Sequence, residues 1–166
     1  MKSGLPILLV EDNSDDVLLF RRALSKARRP HPLYVVHDGQ AAIDYLSGAG
    51  EHMDHNLYPL PELIMLDLKM PRVSGFEVLK WVRGDGAARL IPIVILSSSA
   101  LVDDVNRAYE LGANAYMVKP TTGEALERLI QTVSDFWYAG EKPLAPEQLA
   151  SQRSHRRKIT EKRAPL

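Results

Sequence analysis

Asp67 ends the apolar run Leu63-Ile64-Met65-Leu66 and is followed at once by Leu68-Lys69-Met70-Pro71. A carboxylate placed where a buried strand gives out is held by rigid backbone while still facing solvent. A second such place lies upstream, where Ile7-Leu8-Leu9-Val10 runs into Glu11-Asp12. Two apolar strands that deliver acids to one sheet edge point to a hard-cation site with a reactive carboxylate. Gathered together, such acids repel: two unit charges ~4 Å apart cost about 4 kcal/mol at an effective dielectric near 20. A raised pKa or a divalent cation relieves this. All-oxygen ligation with an open side selects magnesium or manganese over zinc. Magnesium shares phosphate oxygens readily, so phosphoryl chemistry is the expectation. Lys119 and Ser97, each at the end of a later apolar run, supply an ammonium and a hydroxyl for a transferring phosphoryl group.

The elements that must carry these groups are legible as short apolar runs alternating with segments of helical period, the pattern of βαβ units around a parallel sheet. Strands are expected over Leu5–Val10, Leu33–Val36, Leu63–Leu66, Pro92–Leu96 and Ala115–Val118. Asn13 or Ser14 can cap a first helix whose stripe is Val17, Phe20, Leu24 and Ala27, with Arg28-Arg29-Pro30 ending it. Asp38-Gly39 opens a second helix through Ile43 and Leu46. Gly75, Val78, Leu79 and Val82 mark a third, failing near Gly84-Asp85-Gly86, and Val105, Ala108 and Tyr109 a fourth, stopped by Gly112. The fifth starts near Thr121 and carries Leu126, Leu129, Ile130, Val133 and Trp137. Between them, residues 48–61 form a polar connection holding His52 and His55, read as solvated loop histidines. Right-handed crossovers cover both faces of such a sheet, and ligands bind beyond the strand carboxyl ends where the strand order reverses. Spacing alone does not fix that order.

Bulk composition narrows the classes. A length of 166 residues suits one domain, 1–139, with an appendage, 140–166. Its 45% hydrophobic content allows a core without staples, and the absence of cysteine excludes disulfides, thiolate catalysis and cysteine zinc sites. A reducing cytoplasm fits. No apolar stretch reaches the ~20 residues needed to cross a bilayer, and Met1-Lys2-Ser3-Gly4-Leu5-Pro6 leaves no room for a signal peptide. From about Gly140 the chain turns basic, with Arg153, Arg156, Arg157, Lys158, Lys162 and Arg163, and reads as a flexible or partner-ordered tail. Without interleaved aromatics it is weak evidence for nucleic acid.

In that order and context, Glu11-Asp12, Asp67, Ser97 and Lys119-Pro120 resemble the receiver domain of two-component response regulators, over roughly Leu5–Tyr138. The resemblance implies a CheY-like, flavodoxin-like doubly wound α/β fold, five parallel strands in order 2-1-3-4-5 with five helices. It implies that Asp67 accepts a phosphoryl group from a sensor histidine kinase in a phosphorelay, with Mg2+ as cofactor and Mn2+ able to substitute. Asp12 and Asp67 would bind the metal directly with the Lys69 backbone carbonyl, and Glu11 through water. Ser97 and Lys119 would contact the phosphoryl group, Tyr116 would be the switching aromatic, and the Lys119–Pro120 bond would be cis. The long loop before the third strand and the ending Phe136-Trp137 resemble small stand-alone regulators partnered with bacterial phytochromes. Such a switch would show its helix 4–strand 5–helix 5 face to a partner or a second copy.

Two departures stand out: Glu11 replaces the more usual aspartate, and Lys69 sets a cation beside the phosphorylation site. The resemblance also implies that the chain is not an enzyme beyond its own phosphorylation and dephosphorylation. A magnesium-dependent haloacid-dehalogenase-like phosphatase is the competing class. It wants a second carboxylate two residues after the nucleophile, where this chain has Lys69. The third class is an inactive receiver acting as a scaffold, against which the full set of groups argues.

Overall fold

The structure, a computed structural model, describes residues 6–26, 31–84 and 88–140. In chain order its elements are β1 (Ile7–Val10), α1 (Ser14–Ser25), β2 (Leu33–Val36), α2 (Gly39–Ser47), β3 (Leu63–Leu66), α3 (Gly75–Gly84), β4 (Ile93–Ser97), α4 (Val102–Glu110), β5 (Ala115–Val118) and α5 (Gly123–Ala139), with a short 3-10 turn at Gly50–Met53. The sheet is parallel throughout, in order β2-β1-β3-β4-β5. β1, β3 and β4 are buried at every position, as central strands covered on both faces must be.

Alternation along those strands divides the core in two. Leu8, Val10, Ile64, Leu66, Ile93 and Ile95 point to one face, beneath α2, α3 and Ala108 of α4. Ile7, Leu9, Leu63, Met65, Val94 and Leu96 point to the other, where Val17, Phe20 and Leu24 of α1 meet Leu126, Ile130 and Val133 of α5. The chain leaves β1 toward one side of the sheet to make β2 and returns past it to make β3. The β1–β3 boundary is thus the switch point, and Val10 pairs in register with Leu66 there. The residues that follow, Glu11-Asp12 and Asp67, emerge side by side.

Local chemistry sets the helix starts. Asn13 rather than Ser14 caps α1, its side chain accepting from the N–H groups of Asp15 at 2.9 Å and Asp16 at 3.1 Å. Asp38 caps α2 through Ala41 N–H at 2.8 Å. α5 begins at Gly123, later than Thr121, because Thr122 takes the cap position and accepts from Ala125 N–H.

Three expectations change. The Lys119–Pro120 bond is not cis, for the described residues contain no cis peptide bond. Trans is the lower-energy isomer of an X–Pro bond by about 0.5–1 kcal/mol. Lys119 is already anchored by its own N–H, which donates to the Ser97 carbonyl at 2.8 Å. Second, His52 is not a solvated loop residue. Its side chain is 12% exposed and its ring lies 5.1 Å from that of Tyr45 and 4.8 Å from that of Tyr58. The 3-10 turn folds it onto α2, an event that no local pattern announces; His55, three residues on, stays exposed. Third, Ser97 is the last residue of β4 rather than the first beyond it. The expected stop at Arg28-Arg29-Pro30 and the basic stretch in 141–166 lie outside the described residues. No helix among the described residues is long and apolar enough to cross a membrane.

Candidate functional site

Backbone hydrogen bonds at the sheet edge fix the acids. Glu11 N–H donates to the Val36 carbonyl and Asp67 N–H to the Val10 carbonyl, each at 3.0 Å, so each acid sits one ladder step beyond its strand. Glu11 and Asp67 are buried and Asp12 is exposed. One oxygen from each of Glu11, Asp12 and Asp67 can be chosen so that all lie within 4.8 Å of one another. That set of hard oxygen donors, open on the side of Asp12, fits a divalent cation of the magnesium or manganese kind. Lys69, two residues past Asp67, lines the same cleft.

Three acids gather around Lys119. Its ammonium donates to Glu11 Oε2 at 2.7 Å, Asp16 Oδ2 at 2.8 Å and Asp67 Oδ2 at 3.1 Å. Burial alone would lower the lysine pKa, but the carboxylates of Asp16, Glu11 and Asp67 outweigh it and hold the group above its ordinary value. Glu11 moves the other way from a typical paired acid. Burial pushes its carboxyl up, and the Asp67 charge adds to this, against the lowering pull of Lys119 and of Asn13 N–H. The other Asp67 oxygen, Oδ1, accepts from Lys69 N–H at 3.2 Å.

Ser97 is fully buried, its hydroxyl accepting from Ser99 N–H at 3.3 Å, and it is Ser98 that lines the cleft. Tyr116 reaches the same loop, donating its hydroxyl to the Ser99 carbonyl at 2.9 Å. Burial raises the Tyr116 phenol, while its hydrogen bonds to Ser97 and Ser99 pull it down. Ser99 in turn donates its hydroxyl to Asp104 in the first turn of α4. One loop thus joins the end of β4, the β5 aromatic and α4.

The response regulator receiver domain family matches residues 7–131. The chain belongs to the response regulator receiver family. It is 37% identical over 131 residues to the response regulator Rcp1 of Synechocystis, covering 79% of this chain and 87% of that one. It is 35% identical over 143 residues to FilR2 of Methanothrix harundinacea, named as a probable methanogenesis regulatory protein, over 84% of this chain and 88% of that one. The crystal structure of the phosphorylated cyanobacterial phytochrome response regulator RcpA superposes with a TM-score of 0.81 at 34% identity, over 86% of this chain and 100% of that one. The Mn2+-bound form of Rcp1 gives 0.78 at 34%, over 85% and 100%. The sheet order expected from the family resemblance is the one observed.

Of the residues expected at the receiver site, the structure brings Glu11, Asp12, Asp67, Lys69 and Lys119 to one cleft; Ser97 and Tyr116 are not among the residues that line it and meet instead at Ser99. Sequence reasoning missed two. Asp16 reads as an ordinary first-turn acid, favoured there by the helix dipole; only its helical phase relative to the cap turns it inward. Gly75 reads as a helix start. A Cβ on Gly75 would stand 2.2 Å from the Asp67 carbonyl oxygen, so only glycine lets α3 begin this close to the acid. The His52 and His55 pair does not join a metal-holding group among the described residues.

Proposed function

We infer that this receiver accepts a phosphoryl group on Asp67 from a sensor histidine kinase and switches partner binding with it. The observation that carries the inference is the placement of Asp67 Oδ2 3.1 Å from the Lys119 ammonium, inside a set of oxygens that fits a divalent ion. A magnesium ion, held by Asp12, Asp67 and the Lys69 carbonyl with Glu11 acting through water, would supply charge neutralisation to the entering phosphoryl oxygens. An Asp67 carboxylate oxygen attacks phosphorus, a P–O bond forms, and the P–N bond to the donor imidazole breaks with its electron pair returning to nitrogen. Lys119 redirects an N–H to a phosphoryl oxygen, and the Ser97 hydroxyl donates to another. Drawing Ser97 toward the phosphoryl group loosens its hold on Ser99, and Tyr116 and Asp104 feel the change through the bonds they make to Ser99.

The likeness to Rcp1 and RcpA supports a bacterial phytochrome as the kinase class. That likeness extends over most or all of those chains, which also supports action as a stand-alone regulator. Leu101, Val102 and Tyr109 of the α4 region and Val118 of β5 are exposed apolar side chains, which suits the α4–β5–α5 face to docking or to a homodimer that phosphorylation favours. The test is incubation with a small phosphodonor and magnesium, then with a panel of sensor kinases that includes light-regulated ones. The expected result is a hydroxylamine-labile adduct that Asp67→Asn abolishes. Rapid turnover of the donor without an adduct would make the chain a phosphatase, and neither behaviour would make it a scaffold.

A further inference from the structure

An ammonium has three N–H donors, and in this structure Lys119 spends all three on carboxylates, those of Glu11, Asp16 and Asp67. A phosphoryl group on Asp67 takes over the N–H that Asp67 holds, and it draws a second N–H from Lys119 only if Glu11 or Asp16 gives way. The three are not equally easy to displace. The Glu11 side chain is 3% exposed and that of Asp67 8%, whereas that of Asp16 is 28% exposed. A carboxylate that leaves Lys119 must find new partners, and only Asp16 has water at hand. Asp16 also lies in the first turn of α1, where the helix N-terminus favours a negative charge that has lost its cation. Glu11, by contrast, is fixed by its neighbours, accepting Asn13 N–H at 3.1 Å as well.

We propose that Asp16 is the positioning residue that holds Lys119 in the unphosphorylated protein and is released when Asp67 carries its phosphoryl group, which makes the first turn of α1 a second place where phosphorylation is felt. The proposal rests on the phosphoacceptor role inferred for Asp67. In the unphosphorylated state Asp16 competes with the phosphoryl group for the lysine, so its charge works against phosphorylation. Removing that competition favours the phosphorylated arrangement.

The experiment uses beryllofluoride, a tetrahedral phosphoryl mimic, titrated into the full chain at saturating magnesium. Asp16→Asn should tighten its binding about fivefold, the worth of one partly exposed ion pair. Asp15→Asn removes an equal charge from the same helical turn but leaves Lys119 paired, and should bind as the unaltered protein does. In the unaltered protein the carboxyl 13C signal of Asp16 should move toward that of a solvated aspartate as the mimic binds. Equal affinity of the two asparagine variants, or an Asp16 signal that stays put, would overturn the proposal while leaving the phosphoacceptor role standing. Failure of the unaltered protein to bind the mimic would remove both.

Discussion

Gly75 and Asp67 meet backbone to backbone: the Gly75 N–H donates to the Leu68 carbonyl at 3.1 Å, and a Cβ at Gly75 would fall 2.2 Å from the Asp67 carbonyl oxygen. The start of α3 is thereby pressed against the loop that carries the acid. Gly75→Ala must push that loop away, because the colliding atom is backbone and cannot swing aside. A loss of about 2 kcal/mol in denaturant unfolding is expected, in the range of overpacked sites, together with weaker Mn2+ binding read by tryptophan fluorescence or calorimetry.

Lys119→Met removes the ammonium that pairs with Glu11, Asp16 and Asp67 at this cleft. In chelator at neutral pH the variant should lose roughly 3 kcal/mol, as when one partner of a buried ion pair is deleted. Divalent metal should restore more stability to it than to the unaltered protein, since ion and ammonium compete for the same oxygens. Thermal midpoints with and without magnesium test both statements. The folded lysine pKa lies above its ordinary 10.5. Its stabilising contribution is thus complete below that value and lost only as pH rises through the higher folded one.

Glu11→Gln has the opposite sign in metal-free protein. Burial raises the Glu11 pKa above its ordinary 4.5, so the folded chain holds that proton more tightly than the unfolded chain does. Stability falls as pH rises from 4.5 through the folded value, and the ionised form carries that cost at neutral pH. The glutamine variant should therefore melt higher than the unaltered protein in chelator at pH 7.5. The gap should close as pH drops below 4.5, while metal affinity is reduced throughout.

His52 leaves its Nδ1 buried with no hydrogen-bond partner while its ring packs between Tyr45 and Tyr58. Replacing an unsatisfied buried polar group by an apolar one of similar shape is neutral or stabilising. His52→Phe should accordingly gain up to about 1 kcal/mol in urea unfolding at pH 7, whereas His52→Ala should lose about 2 kcal/mol through the void it opens.

Lys69→Asn removes a cation from the cleft beside Asp67, the proposed phosphoacceptor, and should change the lifetime of a phosphoryl group there, followed by decay of the acid-labile adduct. Lys69 is exposed and lines the cleft, so crowding or repositioning of the attacking water is its route of action. Equal decay rates in the two proteins remove Lys69 from the site.

The amino-acid sequence by itself determined the five buried or half-buried runs and the acid, hydroxyl or lysine standing at their ends. Periodicity and capping chemistry are local, and each of these signals is complete within a few residues: the run Leu63–Leu66 needs nothing distant to end in Asp67, nor Asn13 to cap α1. Tertiary structure alone decided the rest. That Asp16 shares a lysine 103 positions away with the acids just beyond β1 and β3 follows from where α1 packs on the sheet. That the His52 ring is half-buried follows from how the 3-10 turn folds onto Tyr45, and that Gly75 guards Asp67 follows from how closely the start of α3 approaches it. Each is a contact between segments whose own sequences are indifferent to it, set by the packing of whole helices against one sheet.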